Sequence, residues 1–294
     1  MLEQASLSPE LRARVALEKH RFRTTHSLGQ NFLLSGALID GLLDAAQIGP
    51  EDNVLEIGPG AGLMTLSLAR RAKRVLAVEL DRGLEPVLAE VLEGQENARV
   101  VFQDVMKADL RALTGEAFGG ESYRVVANLP YYITADVLVK LTGCDCPPDS
   151  VCVMVQKEAA DRIMSAPGGK QWCALAALLQ YYGEARVLAD VPPEAFDPPP
   201  HVESRFIRID RWADLPVKPA DPALYARLIR AAFAMRRKTL ANNLKAVFGL
   251  DQAAAREALM AAGLDERVRG EALTLNELAR LSDVLSLGSG QSLT

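Results

Sequence analysis

The first residues that could do chemistry are a glycine-rich segment and two acids, each at the end of a predicted strand. Gly58-Pro59-Gly60-Ala61-Gly62 follows one apolar run, Glu79 ends the next, and Asp104 follows the third. Glycines let a backbone turn tightly and let a ligand approach without a Cβ in the way. A carboxylate at position 79 can accept both hydroxyl hydrogens of a ribose, and one at position 104 can accept from an adenine amine. Together the three strand ends predict a site for an adenosine-bearing ligand.

The glycine spacing separates two classes of adenosine ligand. Dinucleotide-binding folds use G-x-G-x-x-G, where the following helix receives a pyrophosphate. Here the pattern is G-x-G-x-G, and Leu63 occupies the third dinucleotide position. We therefore predict a ligand without phosphates, S-adenosylmethionine, contacted by Gly58, Gly60, Glu79 and Asp104. A nicotinamide-dependent oxidoreductase is the less favoured alternative, and the glycines alone would also fit an ordinary strand-to-helix turn.

The tetrapeptide Asn128-Leu129-Pro130-Tyr131 follows the fourth predicted strand and could activate an exocyclic amine. The N6 lone pair of adenine is delocalised into the ring, so this nitrogen is a poor nucleophile. The side-chain oxygen of Asn128 and the backbone oxygen of Leu129 can accept both amine hydrogens, and Pro130 biases Leu129 towards extended geometry. Tyr131 offers a ring on which the base can stack. No general base is required, because alignment and desolvation supply most of the catalysis and the proton can leave to water afterwards.

A second aromatic ring, Phe196, is a candidate for the opposite face of the base. It lies in Ala195-Phe196-Asp197-Pro198-Pro199. Its position alone does not distinguish a base contact from a core or linker aromatic.

Short apolar runs alternate with helix-like segments from about residue 50 onward. The strand candidates are Val54–Ile57, Val75–Leu80, Val100–Phe102, Val125–Ala127 and Val151–Val155. This alternation predicts an α/β fold with a mostly parallel sheet and helices on both faces. Two later runs, Ala185–Val191 and Phe206–Ile209, are expected to form an antiparallel hairpin at the sheet edge.

A Pro-containing stretch over residues 215–222 separates this pattern from a helical one. We expect a helical arm over residues 1–24, a catalytic domain over 25–212 and a helical RNA- or ribosome-binding domain over 213–294.

Composition favours a globular protein without a metal site or a membrane segment. The chain has 294 residues, of which 49% are hydrophobic and 24% charged, as is ordinary for soluble proteins. No apolar run approaches a membrane span and the N-terminus lacks a signal-peptide core, so a cytoplasmic location is expected. Cysteines 144, 146, 152 and 173 lack the spacing of a zinc site, so reduced thiols and no metal are predicted.

The net charge of -5 argues mildly against nucleic-acid binding, but the distribution matters more than the sum. One basic cluster covers residues 12–26, and another contains Arg236, Arg237 and Lys238. We predict that these three residues and Arg23 contact RNA. On charge alone, two solvated helix faces would be the simpler interpretation.

In order along the chain, these motifs resemble those of the ribosomal RNA adenine N6,N6-dimethyltransferases, specifically the bacterial small-subunit type linked to kasugamycin sensitivity. The resemblance covers residues 25–285. The motifs that carry it are Ser27-Leu28-Gly29-Gln30-Asn31-Phe32-Leu33, Glu56–Gly62, Glu79-Leu80-Asp81, Gln103-Asp104, Asn128–Tyr132, Val155–Glu158 and Phe196–Ser204.

The resemblance implies a Rossmann-like class I methyltransferase sheet with a small all-α C-terminal domain. It implies S-adenosylmethionine contacts from Asn31, Leu33, Gly58, Glu79, Asp104 and Asn128. It further implies that a monomeric enzyme methylates twice each of two adjacent adenosines in a hairpin near the 3′ end of 16S rRNA, within an immature 30S subunit.

Two other functions remain as alternatives. The erythromycin-resistance methyltransferases of 23S rRNA share the catalytic motifs, but Phe233–Leu240 and Val268–Leu275 resemble the small-subunit branch. A non-catalytic ribosome-assembly factor is the other alternative. Histidines at positions 26 and 201 stand where this family usually has basic residues, which puts single phosphate contacts in question.

Overall fold

A computed structural model of the chain describes residues 8–22 and 30–289. Their strands are β1 (Phe32–Leu33), β2 (Asn53–Ile57), β3 (Arg74–Glu79), β4 (Ala98–Phe102), β5 (Arg124–Asn128), β6 (Ser150–Gln156), β7 (Gly183–Val191), β8 (Phe196–Asp197) and β9 (Ser204–Arg211). Their helices are α1 (Pro9–Lys19), α2 (Gly36–Ala45), α3 (Leu63–Ala69), α4 (Glu85–Val91), α5 (Leu110–Phe118), α6 (Tyr131–Thr142), α7 (Lys157–Ile163), α8 (Ala174–Tyr182), α9 (Pro222–Ala232), α10 (Leu240–Phe248), α11 (Gln252–Ala261) and α12 (Leu275–Ser289). A bilayer-crossing helix, long and apolar over its whole length, is not found among these described residues.

Within the described residues, seven strands form one mixed sheet in the order β4-β3-β2-β5-β6-β9-β7. The neighbours from β4 to β6 are parallel, and β9 is antiparallel to β6. The chain moves outward from β2 to β4 and then returns to place β5 on the other side of β2. The crevice between β2 and β5 is therefore the topological switch point, where doubly wound sheets bind ligands. The predicted α/β class is confirmed.

The central strands are buried because helices cover both faces of the sheet. In β2, Val54, Leu55 and Ile57 are at most 2% exposed, and β5 and β6 contribute similar apolar runs. Strands buried on two faces read as continuous apolar runs rather than as alternating patterns. This explains why the sequence located these strands to within two residues.

A separate two-stranded sheet contains a pairing that the sequence did not indicate. As expected, β7 and β9 are neighbours at the edge. Between them in the chain lies β8, which pairs with β1 so that Leu33 faces Phe196 and Phe32 faces Asp197. Two segments more than 160 residues apart are thereby joined beside the central sheet.

Helix α1 is attached to α4 through its basic side chains. Nη2 of Arg12 donates to the carbonyl oxygens of Glu90 (2.7 Å) and Glu93 (3.1 Å). Lys19 and His20 contact the Glu90 carboxylate at 2.7 and 2.8 Å. These three members of the first basic cluster therefore hold the helix in place.

The contacts of the chain divide it into two compact units. The first contains the described residues up to Ala160 and Ala185–Arg211, and the second contains Asp161–Glu184 and the described residues from Trp212 onward. The segment from Asp161 to Glu184 lies within the range 25–212 that the sequence placed in one domain. It belongs to the second unit because fully buried Trp172 and Ala176 pack in the same apolar cluster as Tyr225 of α9.

Candidate active site

The carboxyl ends of β2 to β5 surround a cavity of about 290 Å³ in the first unit. Small-molecule sites in proteins start at about this size. Every residue that the sequence assigned to catalysis or to the cofactor lines this cavity: Asn31, Leu33, Gly58, Gly60, Glu79, Asp104, Asn128, Leu129, Pro130, Tyr131 and Phe196. Of the predicted RNA contacts, Arg23 lies outside the described residues, and Arg236, Arg237 and Lys238 belong to the second unit.

The glycine segment needs its glycines for two different reasons. Gly58, Gly60 and Gly62 all have positive φ angles, of 73°, 55° and 81°. A Cβ on Gly60 would lie 2.8 Å from the Phe32 ring, and one on Gly62 would lie 2.9 Å from Cδ2 of Leu88. Gly58 and Gly60 thus supply left-handed backbone in the cavity wall, and Gly60 also leaves room for the Phe32 ring. Gly62 lets the start of α3 pack against α4.

Glu79 is held by the backbone at the side of the cavity. Its Oε2 accepts from the Gly60 amide (3.1 Å) and its Oε1 from the Asp81 amide (2.8 Å). Burial raises the pKa of this carboxyl above its ordinary value, and the backbone hydrogen bonds act in the opposite direction. Each oxygen retains a further lone pair, so the carboxylate can still accept from ribose hydroxyls.

Glu56 is a cavity residue that the sequence singled out only as a flank of the glycines. Its side chain is 1% exposed, and Oε2 has no hydrogen-bond partner among the described residues. Burial is the main reason that its pKa rises to about 8; the Thr65 side chain lowers the pKa, and repulsion from Glu79 raises it further. A cationic ligand beside the buried carboxyl would favour its charged form. The only signal in the sequence is one acid within an otherwise apolar strand.

The Asp104 loop is tied to helix α6. Oδ1 of Asp104 accepts from the Met106 amide at 2.9 Å. Nζ of Lys140, on α6, donates to the carbonyl oxygens of Met106 (2.9 Å) and Ala108 (2.8 Å). The helix that begins at Tyr131 therefore also positions the acid proposed to meet the adenine of a cofactor.

Asn128 is oriented by a hydrogen bond that only one end of its amide can make. Nδ2 donates to the backbone oxygen of Asn31 at 3.1 Å, so Oδ1 is the end left to accept. Within the described part of the chain, Oδ1 receives no hydrogen bond. A Cβ on Gly58 would lie 3.5 Å from Cδ2 of Leu129 and 3.7 Å from the Asn128 backbone oxygen. Asn128 and Leu129, the two residues that carry the predicted acceptors, therefore adjoin the glycine segment across the switch point.

The two predicted base-stacking rings both reach the cavity, but they are held differently. The Tyr131 hydroxyl lies 2.6 Å from Oγ of Ser204 on β9, and burial raises the pKa of this phenol. Phe196 is 4% exposed and belongs to the apolar core through the β1–β8 pairing. Phe196 thus packs in the core and also lines the cavity, and its contact with a base stays a prediction.

The basic residues of the second unit form an exposed turn between α9 and α10. Nη2 of Arg236 donates to the Lys170 carbonyl oxygen (2.9 Å) and lies 3.5 Å from Oε2 of Glu271. Arg237 and Lys238 are exposed, and they make no ion pair with the described residues. Buried Asn243 supports the turn, since its amide accepts from Met235 N (3.1 Å) and donates to the Ala232 carbonyl (3.0 Å). The turn therefore presents at least two cations on a rigid base.

The family model described as ribosomal RNA adenine dimethylase matches residues 20–286. The chain belongs to the ribosomal RNA adenine dimethylase family. It is 44% identical over 278 residues to the ribosomal RNA small subunit methyltransferase A of Geobacillus thermodenitrificans, covering 93% of this chain and 95% of that one. It is 41% identical over 272 residues to the protein of the same name from Alkaliphilus metalliredigens, covering 92% and 95%.

Solved structures show the same fold. A dimethyladenosine transferase from Plasmodium falciparum superimposes with a TM-score of 0.70 at 23% identity, over 87% of this chain and 97% of that one. The 23S rRNA methyltransferase ErmE superimposes with a TM-score of 0.62 at 25% identity, over 87% and 100%. The fold is that of the class I S-adenosylmethionine-dependent methyltransferases, as the sequence predicted.

The cavity of this adenine dimethylase family member fits the cofactor that its fold implies. S-adenosylmethionine carries an adenosine and a sulfonium cation. Oε2 of Glu56 accepts no hydrogen bond from the described residues, and the carboxyl groups of Glu79 and Asp104, which the sequence predicted to meet the ribose and the adenine, line the same cavity. A Cβ at Gly60 would meet the ring of Phe32, which also lines the cavity, so a side chain at this position would displace the cavity wall.

Proposed function

We propose that this protein dimethylates N6 of two adjacent adenosines in a hairpin near the 3′ end of 16S rRNA, acting on an immature 30S subunit. The observation that carries the proposal is the orientation of Asn128. Its Nδ2 donates to the Asn31 carbonyl, which leaves Oδ1 as the acceptor of a residue that lines the cavity together with the glycine segment. A flat base with an exocyclic amine is the substrate that such an acceptor recognises.

The cofactor supplies an electrophilic methyl group, and the protein supplies alignment. Gly58, Gly60, Glu79, Asp104, Asn31 and Leu33 are the residues proposed to hold it. Oδ1 of Asn128 and the Leu129 carbonyl oxygen accept the two amine hydrogens. The nitrogen lone pair is then less delocalised into the adenine ring and is available to attack the methyl group. Tyr131 and Phe196 confine the base between them. The nitrogen loses its proton to water after it has bonded.

The small-subunit substrate is favoured over 23S rRNA by the relatives' names. Proteins named ribosomal RNA small subunit methyltransferase A are 41–44% identical over more than nine-tenths of the chain. The 23S rRNA methyltransferase ErmE is 25% identical. We further propose that the protein acts as a cytoplasmic monomer and that the exposed cations Arg236, Arg237 and Lys238, together with Arg23, bind RNA phosphates.

The test is methyl transfer from labelled S-adenosylmethionine to 30S subunits that lack the modification, with 50S subunits as a parallel substrate. We expect label in 30S alone, recovered as N6,N6-dimethyladenosine from the two neighbouring positions. Label in 50S alone would support the 23S alternative. Absence of label in both, with subunit maturation restored in cells, would instead support a non-catalytic assembly factor.

The basic turn is tested by measuring binding to the same 30S subunits at a series of salt concentrations. Replacing Arg236, Arg237 and Lys238 by alanine should weaken 30S binding and flatten its dependence on salt by up to about one unit of log–log slope per lost phosphate contact. Arg256→Ala removes an exposed cation of the same unit and should change neither. An unaltered salt dependence in the triple variant would contradict the assignment.

A further inference from the structure

Tyr132 is an exposed aromatic ring at the mouth of the candidate active site. Its exposure is 63%, yet it lines the cavity. It is the second residue of α6, immediately after Tyr131. The Tyr131 hydroxyl is anchored to Ser204, whereas Tyr132 has no hydrogen-bond partner among the described residues. The two successive rings therefore differ: Tyr131 is fixed in the cavity wall by Ser204, and Tyr132 is exposed to solvent.

The surroundings of Tyr132 distinguish it from an isolated surface residue. Single exposed apolar side chains are normal and need no explanation. Here Leu80 (53% exposed) and Met106 (39% exposed) line the same cavity. Each follows a predicted ligand residue within two positions, namely Glu79 and Asp104. The opening thus has an apolar rim that is continuous with the proposed adenosine sites.

We propose that Tyr132 stacks on the nucleobase next to the target adenosine, an inference that rests on the proposed function. Tyr131 and Tyr132 are consecutive residues of α6, so their side chains leave the helix roughly 100° apart. A base held against the anchored Tyr131 therefore leaves the exposed ring of Tyr132, at the mouth of the same cavity, for the neighbouring base. Unpaired RNA bases characteristically stack on exposed aromatic side chains. Tyr132 thereby positions a substrate with two adjacent bases rather than a single adenosine.

The first experiment compares Tyr132→Ala with Tyr132→Phe in steady-state methylation of 30S subunits. Loss of one stacked base should raise KM for 30S by about 5- to 150-fold. We expect kcat to change less than KM, and Tyr132→Phe to behave as wild type because the ring remains. Val187→Ala removes another partly exposed apolar side chain, outside the cavity lining, and should leave KM unchanged.

The affinity for S-adenosylmethionine, measured by calorimetry, distinguishes stacking of Tyr132 on an RNA base from stacking on the cofactor. If Tyr132 instead stacks on the adenine of the cofactor, Tyr132→Ala weakens that affinity and the inference is overturned. It is also overturned if KM for 30S is unchanged while wild type methylates normally. If wild type itself does not methylate 30S, the proposed function fails first.

A second experiment removes the other partner of the proposed stack. Reconstituted 30S subunits would carry an abasic residue in place of one of the two adenosines, and methylation of the remaining one would be followed. We expect the abasic residue to raise KM for wild type by at least fivefold and for Tyr132→Ala by less than twofold. Equal losses in both proteins would show that the ring and the neighbouring base do not interact.

Discussion

The cavity of the first unit and the basic turn of the second are built by different means. In the cavity, three of the predicted ligand groups lie at or just after the ends of parallel strands, so the sheet itself brings Glu79, Asp104 and Asn128 to one edge. The basic turn between α9 and α10 has no such framework. Its position depends on buried Asn243 and on Gly270, where a Cβ would lie 2.0 Å from the Ala232 carbonyl oxygen.

This difference predicts different sensitivities. Substitution of a cavity side chain should impair chemistry and leave the fold intact, because backbone hydrogen bonds of the sheet hold the strand ends. Substitution of the support beneath the basic turn should impair stability and RNA binding together. Four substitutions, two of them with a matched partner, test the contrast.

The largest effect is expected for Asn128→Ala. Removing one acceptor aimed at the reacting amine should lower kcat for 30S methylation by about 100-fold or more, as for other preorganised polar groups in active sites. Affinity for S-adenosylmethionine should fall less, and the midpoint of thermal unfolding should shift little. A rate within threefold of wild type would remove the central role given to this amide.

Asn243→Ala should lower the free energy of unfolding by about 1–3 kcal/mol, because two backbone groups lose a buried partner. Binding to 30S should weaken as well, although no cation is altered. Asn242→Ala is the matched control, since among the described residues the side-chain amide of Asn242 hydrogen-bonds only to Oγ1 of Thr239, at 3.0 Å. If both variants have equal stability, the turn does not depend on the buried amide.

Gly60→Ala should weaken S-adenosylmethionine binding by about tenfold or more. The residue has a φ of 55° and its new methyl group would meet the Phe32 ring at 2.8 Å. Gly115→Ala is the control, because Gly115 lies within α5 and a Cβ there meets nothing within 4 Å. That substitution should stabilise the protein by about 0.4–1 kcal/mol. Unchanged cofactor affinity in Gly60→Ala would show that the cavity wall at Gly60 and Phe32 does not contribute to cofactor binding.

The smallest effect concerns Glu56 and pH. Its pKa is about 8 in the folded protein and 4.5 as a free side chain, so between these values the folded state binds a proton that the unfolded state lacks. The free energy of unfolding therefore falls as pH rises through this window. Without cofactor, Glu56→Gln should reduce the loss of stability between pH 5 and pH 8 by at least about 1 kcal/mol. Identical pH profiles in urea unfolding would contradict this prediction.

Much of the cavity was predictable because chemistry and local order coincide there. Glycine spacing, an acid at a strand end and the Asn128–Tyr131 motif are local patterns, and the carboxyl ends of parallel strands necessarily meet at one edge of a sheet. Phe196 was predictable only as a candidate, since its partner Leu33 lies more than 160 residues away in the chain. No local pattern in the sequence indicated that the Tyr132 ring is exposed. None indicated that Oε2 of Glu56 is buried without a hydrogen-bond partner among the described residues.

By itself the sequence determined the α/β class, the order of the strands along the chain and the cavity residues at the ends of the parallel strands, because these follow from local periodicity and from motifs adjacent to strands. Only the tertiary structure decided which end of the Asn128 amide accepts, which of two successive tyrosines is anchored, and that Trp172 packs with the helices after Trp212. Each of these depends on a contact between segments that are distant in the chain, and such contacts produce no local pattern in the sequence.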